Sequence, residues 1–387
     1  MSDFPSTARV VIIGGGLAGG ISAIHLAKSG KRVALLEKEK KPHHKVCGEY
    51  LSEEGVAYLD EVGFPFDQIA SPSIYNFEFH SQKSSVGNRL PMVARGVSRK
   101  LTDQWLLEKA HDLGVDVLCG HRVLGFEKND SIFEVRTSNQ KFYSDVLFVA
   151  SGKHDISTEP KRKGVENDLV GFKVHLKLGE VQSSQLQNSI ELFSFSGGYG
   201  GLSPIEGGLF NFCYLLDGKT IKSQGLASQW PAHKEYLSGQ HPILEKRFNN
   251  SESQFEKLVA ISKVPYGFQR SLNLDVEMDG LFYLGDQAAV IPSFTGEGMT
   301  IALTSARMAV DFAINYDDKS IASKEYTKKL NEMIGSRMKF AVPIHRIMIS
   351  SYSNLAAYGV KLLPGAVPLL FKKTRCPQPF FWRNFYC

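Results

Sequence analysis

The segment RVVIIGGGLAGGISAIHLAKSGKRVALLEKE, residues 9–39, restricts the fold more than any other part of the chain. A β-branched run ends directly in glycines, a helical stretch from Leu17 to Lys28 follows, and a second strand, RVALLE, closes the unit. Gly14, Gly16 and Gly19 stand as GxGxxG. In that arrangement the first glycine makes the tight turn, the second lets backbone approach a pyrophosphate, and the third lets helix and strand pack closely. The helix then aims its N-terminal N–H groups and the positive end of its dipole at the phosphates. Glu37, at the end of the second strand, stands where a carboxylate accepts hydrogen bonds from the adenosine ribose hydroxyls, and a free carboxylate there repels a 2′-phosphate. The unit reads as a site for FAD or NAD rather than NADP.

A second segment repeats this physics: GLFYLGDQAAVIPSFTGEGMTIALTSARMAVDFA, residues 280–313. An aromatic-apolar strand, Leu281 to Leu284, runs into Gly285 and Asp286, so a carboxylate stands at a strand end where a second ribose could lie. Pro292 and the loop SFTGEG lead into a helix from about Met299, with Ala302, Ala306 and Ala309 favouring close packing. A glycine-rich helix N-terminus suits an electron-rich, partly anionic ring such as a reduced isoalloxazine.

Residues 10–37 together with 281–309 resemble the FAD-binding halves of the p-hydroxybenzoate hydroxylase superfamily, and within it the chain is most similar to the geranylgeranyl reductase branch. The resemblance covers about residues 8 to 312. It implies that Asp286 binds the ribitol or pyrophosphate region of FAD, that the backbone from Gly296 to Met299 faces the pyrimidine edge of the flavin, and that Arg99 lies against the cofactor. The alternative for Arg99 is an ion pair at a helix start. Lys38, Val123, Pro292 and Gly298 complete the expected cofactor-contacting set. Two departures stand out. The middle signature, ordinarily Ala-Asp-Gly, reads LFVASGKHDIST, with Ser151 in the place of the acid and Gly152 kept. The Tyr-x-Trp-x-Phe-Pro motif of the reductase branch reads YGGLSP, so Tyr199 and Pro204 stay while Gly201 and Ser203 replace the aromatics. The cavity there should be wider or more polar, with Tyr199 as a catalytic lining residue.

The implied fold is α/β (α+β overall), a Rossmann-type FAD-binding domain of the GR2 type interleaved with a mainly antiparallel β-sheet substrate domain, plus a C-terminal helical tail. The expected FAD-binding domain is discontinuous over 1–70, 99–155 and 265–330. The substrate or cap domain takes 71–98 and 156–264, with a helical passage from about 221 to 258, and 331–387 form the basic apolar tail. Alternation of Phe172, Val174, Leu176 and Leu178 predicts a half-buried strand, with His175 on its more exposed face as a polar surface residue rather than a catalytic acid. His43 and His44 lack partners at ligand spacing, so no metal site is expected.

At 387 residues and 43% hydrophobic content, the chain can bury a substantial core. Five cysteines at unrelated spacings, without C-x-x-C, fit a reduced, cytoplasmic setting. There is neither a signal-peptide pattern at the N-terminus nor an apolar run long enough for a membrane span, the nearest being LLPGAVPLLF at 362–371. From Met333 onward stand eight Lys or Arg and no Asp or Glu. That tail could rest on an anionic membrane surface or hold an anionic partner, or be a solvated helical face. No stretch interleaves basic and aromatic residues as nucleic-acid binders do.

These features point to an FAD-dependent oxidoreductase that reduces or dehydrogenates carbon–carbon bonds of an apolar isoprenoid-, lipid- or polyketide-like substrate through flavin N5. With one dinucleotide fingerprint, electrons must come from transiently bound NAD(P)H or from an external reductase or carrier protein. A flavin monooxygenase is the alternative. Halogenation is disfavoured, because Trp-x-Trp-x-Ile-Pro is missing and the tryptophans are Trp105, Trp230 and Trp382. A non-enzymatic escort protein of the GDI-like kind would require loss of FAD, yet the glycines, Glu37 and Asp286 are kept. Cys47, in KVCGEYLSEEG, is a small buried hydrophobe on one reading. On the other it sits beside the isoalloxazine, as the Pro-x-x-Cys-Gly of the reductase branch implies, with Gly48 matched and His44 in the place of the proline.

Overall fold

Strand Val10–Ile13 is apolar at every position, which suits a strand covered on both faces. The computed structural model describes residues 10–82, 84–165, 168–270, 278–350, 371 and 373–375. Among these, a five-stranded sheet runs in the order Leu281–Tyr283, Val146–Val149, Val10–Ile13, Val33–Glu37, Asp116–Cys119. All its pairings are parallel. Ile12, Leu35, Phe148 and Phe282 point to one face, under helices Leu17–Lys28, Arg99–Asp112 and Gly298–Asn315. Val11, Ala34, Leu147 and Val149 point to the other, where Phe126, Phe133, Val135 and Phe142 of a three-stranded antiparallel meander cover them. The expected Rossmann-type layer is therefore present.

The second layer is a nine-stranded sheet among the described residues. Its pairings are antiparallel except where Ser189–Phe195 runs parallel to Ser73–Ser81. One face carries Phe172, Val174, Leu202, Phe212 and Leu216 into a core closed by helices Trp230–Gln240 and Pro242–Phe248. The opposite face turns towards the nucleotide-binding unit, and the cleft lies between the two.

Strand Leu169–Lys177 corrects the sequence expectation. It is buried on both faces, not one. Lys173 is fully buried and His175 is 3% exposed, so His175 is not a surface residue. Period two shows that the faces of a strand differ, but not what covers the polar one. Here the cover comes from residues 43–49, far away in sequence.

Helix Lys319–Ile349 joins the two layers. Asp318 caps it by accepting hydrogen bonds from the backbone N–H groups of Ser320 and Ile321. Tyr326, Leu330, Ile334 and Met338 pack on the parallel-sheet core, while Met348 reaches a separate cluster containing Tyr199 and Tyr266. Within the basic tail, the Arg337 side chain donates to the Arg375 carbonyl, and Arg375 pairs with Glu54. The run 362–370, Lys361, Lys372, Cys376, Trp382, Arg383 and Cys387 lie outside the described residues. Among the described residues, no helix is long and apolar enough to cross a membrane.

Two buried histidines make stability depend on pH. Burial, then the Arg307 charge, lowers His25 from the ordinary 6.5 to about 3. Burial, then Arg346, lowers His345 to about 4. Both groups have depressed native values, so as pH falls below 6.5 the unfolded chain takes up protons that the native state refuses. Stability from these groups is fully present above 6.5 and is lost as pH falls towards 4. Thermal unfolding followed by circular dichroism should show a falling midpoint over that window, and His25→Gln should flatten the fall.

Candidate active site

The cleft begins at the first glycine turn. Gly14 has φ 107°, and a Cβ there would stand 2.4 Å from the Ala150 carbonyl oxygen. At Gly19 a Cβ would stand 1.8 Å from the Gly14 oxygen, so only glycine lets the helix lie this close to its strand. Gly16 caps the helix without a side-chain bond and lines the cleft, facing the Arg99 guanidinium. Glu37 is held by the N–H groups of Gly15 at 2.7 Å and Glu39 at 2.9 Å. Lys38 and Val123 line the cleft beside it.

Asp286 lines the far side, and its carbonyl accepts from Arg162 at 2.6 Å. Gly285, at φ 55°, donates its N–H to the Ser305 hydroxyl. Ser151 occupies the place of the missing acid and accepts from the Gln287 amide, which ties the two strand ends together. Gly296 takes the left-handed conformation at φ 71° ahead of helix Gly298–Asn315. That helix also lacks a side-chain cap and an acid in its first turn. Gly296, Gly298 and Met299 line the cleft. Gly19 and Pro292 do not; they shape the helix contact and the loop.

The loop 43–49 forms the wall between the layers. Arg99 makes an ion pair at its helix start, the alternative to a cofactor contact, with Asp103 at 2.9 Å, yet its side chain is largely buried and lines the cleft. Burial opposes its charge, but Asp103 and then Cys47 raise its pKa. Burial likewise pushes Asp103 up, and Arg99 with Lys45 brings it below the usual carboxylate range. Cys47 is half-buried, its Sγ accepts from the Glu49 N–H at 3.4 Å, and Asn211 donates to its carbonyl at 3.0 Å. Gly48 offers its carbonyl to the Ser203 hydroxyl. Glu49, completely buried, receives hydrogen bonds from the Arg99 N–H, Lys173 and His175. Burial pushes Glu49 up, but Lys173 and then His175 outweigh it and hold the carboxyl below its ordinary range.

His44 therefore has partners that sequence spacing did not reveal. Its ligand-type atoms, with those of Glu49 and His175, lie within 4.8 Å of one another. The Lys173 ammonium already supplies the cation on Glu49 and would repel another. A second such group, Glu78, His80 and Glu191, is likewise held by Arg247, which pairs with Glu191 at 2.7 Å.

Beyond the loop, the cleft is lined by Tyr199, Gly201, Ser203, Cys213 and Tyr266 from the antiparallel layer. The Tyr199 hydroxyl lies 3.0 Å from Ser293 Oγ and 3.1 Å from His345 Nδ1. Burial raises its pKa well above the ordinary phenol value. The whole cleft encloses about 480 Å³. Cys47, Tyr199 and most of the expected cofactor residues thus share one space. Glu49, Lys173, His175, Cys213, Tyr266 and His345 were not anticipated. Glu49 stands next to Gly48 in the quoted motif; the others carry no local signal.

The arrangement fits FAD. Two uncapped helix N-termini open on one cleft, a Cβ-less position stands at the first, and a clamped carboxylate marks one end. Residues 7–142 match the family model of the FAD binding domain. The Methanosarcina barkeri protein Mbar_A1602 is 31% identical over 172 residues, which is 43% of each chain. The FixC protein of Salmonella typhi is 24% identical over 94% of this chain and 92% of its own. Among solved structures, the flavin-dependent brominase Bmp2 superposes with a TM-score of 0.77 at 18% identity, covering 95% of this chain and 93% of that one. A flavoprotein/dehydrogenase from Cytophaga hutchinsonii gives 0.73 at 18% identity, covering 95% and 96%. At such identities the structures establish the fold alone.

Two glycines separate folding from binding. Gly19→Ala forces a methyl onto the Gly14 carbonyl and should cost on the order of 1–3 kcal/mol, read by denaturant unfolding. Gly16→Val leaves the core untouched and should instead weaken FAD retention, read by flavin absorbance after gel filtration, with little change in the unfolding midpoint. With glycine turn, paired helix termini and family model in agreement, the chain carries an FAD binding domain over residues 7–142, set within a flavoprotein fold.

Proposed function

We propose that the protein moves hydride between FAD and a carbon–carbon bond of an uncharged, apolar small molecule of isoprenoid-, lipid- or polyketide-like character. The observation that carries this reading is the lining beyond the cofactor residues. Ile190, Leu192, Leu215, Ile261, Val290 and Phe294 supply an apolar surface. The polar groups among them are held neutral. Burial keeps the Tyr199 phenol protonated and pushes the Cys213 thiol up to about 12. A charged substrate would find no counter-ion among these groups and would lose its hydration.

Bound in the cleft, FAD supplies two-electron hydride chemistry. The chain's own residues do the rest. The helix termini at Gly16 and Gly298 bind and orient, and Arg99 with Asp103 and Lys45 holds the loop that carries Cys47. The apolar wall excludes water. Tyr199 keeps a proton at its hydroxyl, within hydrogen-bond reach of His345, where it can be passed to substrate. Electrons are proposed to arrive from NAD(P)H or from a donor protein, and the basic tail is a proposed contact for an anionic membrane or partner.

Flavin-dependent oxygenation is the second reading, favoured by the halogenase fold neighbours. Halogenation itself lacks support from the tryptophans: Trp105 packs on Phe64 and Trp230 on Phe248. Trp382 lies outside the described residues.

The test is anaerobic reduction of the FAD-loaded protein followed by exposure to an unsaturated lipid or to oxygen. Reoxidation by the lipid without oxygen is expected, and isotopic oxygen in the product would transfer the reading to a monooxygenase. Tyr199→Phe should lower turnover on the order of a hundredfold while retaining FAD. Cys47→Ser should alter the flavin spectrum or turnover; unchanged values for both would return the thiol to a packing role.

A further inference from the structure

Tyr199, Tyr266 and Ser293 come from three separate elements, and all of them line the cleft. Tyr199 belongs to strand Gly198–Pro204, and Tyr266 follows strand Val259–Ser262. Ser293 opens the turn Ser293–Thr295, which leads to the uncapped N-terminus of helix Gly298–Asn315. The wall around them is apolar: Leu192, Leu215, Ile261 and Val290 belong to the same cluster as the two tyrosines. Phenylalanine and alanine at these positions would fill nearly the same space without desolvating hydroxyls, whose burial costs free energy unless hydrogen bonds replace water. A few convergent polar groups in an apolar cleft fix the orientation of a bound small molecule.

The hydroxyls bring more hydrogens than their own contacts use. The Tyr199 hydroxyl lies 3.0 Å from Ser293 Oγ and 3.1 Å from His345 Nδ1. Those two contacts use at most two hydroxyl hydrogens, whichever tautomer His345 adopts. Tyr266 brings the third, with Ser293 beside it. Burial raises both phenols above their ordinary value, so both keep their protons. Against that rise, Ser293 and the Phe294 backbone favour an anionic oxygen at Tyr199, and Ser293 does the same at Tyr266. The place is rich in donors and suits an oxygen that gains negative charge.

Hydride adds poorly to an isolated C=C bond, because the electron pair it displaces is left on carbon. When the double bond is conjugated with a carbonyl, that pair moves to oxygen, where hydrogen-bond donors stabilise it. We propose that Tyr199, Tyr266 and Ser293 form a receptor for a carbonyl oxygen, and that the substrate is a neutral α,β-unsaturated carbonyl compound with an apolar body. The oxygen receptor stands on the hydroxyl geometry; the reduction rests on the hydride reading above. In that reaction the β-carbon receives hydride with its electron pair. The π pair of the C=C bond shifts, so that the carbonyl oxygen becomes an enolate oxygen held by the hydroxyls. A proton from a hydroxyl of the cluster, replaced from solvent, ends on the α-carbon. The substrate gains two electrons and two hydrogens, and reduced FAD gives up the same, one hydrogen as hydride and one as a proton released to solvent.

The test uses oxidised, FAD-loaded protein, in which no reduction takes place, and a pair of probes: benzalacetone, and its counterpart in which a methylene replaces the carbonyl. Calorimetry should show the ketone binding about tenfold more tightly than the hydrocarbon. Infrared difference spectra should show its C=O stretch at lower frequency than in hexane. Tyr266→Phe and Ser293→Ala should each keep FAD, lose most of that preference and move the stretch back. A ketone that binds wild type no more tightly than the hydrocarbon, absence of binding by both included, would overturn the proposal. So would a stretch unmoved from its position in hexane, and neither result depends on a variant folding. If the ketone binds with a shifted stretch yet does not reoxidise the anaerobically reduced protein, the hydride reading falls and the oxygen receptor stands. If an unsaturated lipid without a conjugated carbonyl reoxidises the protein and the ketone does not, the hydride reading stands and the proposed substrate class falls.

Discussion

The cleft depends on a contact that contains no side chain. Helix Leu17–Lys28 rests on its preceding turn so closely that a Cβ at Gly19 would overlap the Gly14 carbonyl. That approach puts the helix axis on line with the cleft and leaves its first N–H groups without a side-chain cap. Helix Gly298–Asn315 arrives from the other end of the chain with the same open terminus and the same freedom from acids in its first turn. Two positive dipole ends converging on one space favour an extended anionic cofactor.

The wall opposite is built by electrostatics. Residues 43–49 cross from the parallel sheet to the antiparallel one, and each end is pinned: Lys45 and Arg99 both pair with Asp103 on one side, and Glu49 pairs with Lys173 and is hydrogen-bonded to His175 on the other. Between these anchors, the carbonyls of Cys47 and Gly48 are tied to Asn211 and Ser203. The thiol is therefore held on a tightly fixed stretch of backbone, whose rigidity comes from hydrogen bonds to the sheet.

Helix Lys319–Ile349 links the layers a second time. Its first turns pack on the parallel sheet, and its last turns bring His345 to Tyr199. A residue far outside the FAD-binding segments thus holds the hydroxyl of a tyrosine that lines the cleft. Acidification that charges His345 would disturb that contact and the core together.

The sequence by itself determined the nucleotide-binding unit. GxGxxG, the distal Glu37 and the glycine-rich start of the second helix act through backbone conformation and short-range geometry, so a local pattern carries their meaning. Alternation along Phe172 to Leu178 likewise showed that two faces exist. Only the tertiary structure decided that the polar face is buried, that Lys173 and His175 close on Glu49, and that Cys213, Tyr266 and His345 meet Tyr199. The contacts of Glu49 with Lys173 and His175, and of Tyr199 with His345, join residues more than a hundred positions apart on different elements. What makes a histidine a surface residue or a buried one is the element that covers it, and period two contains no record of that cover.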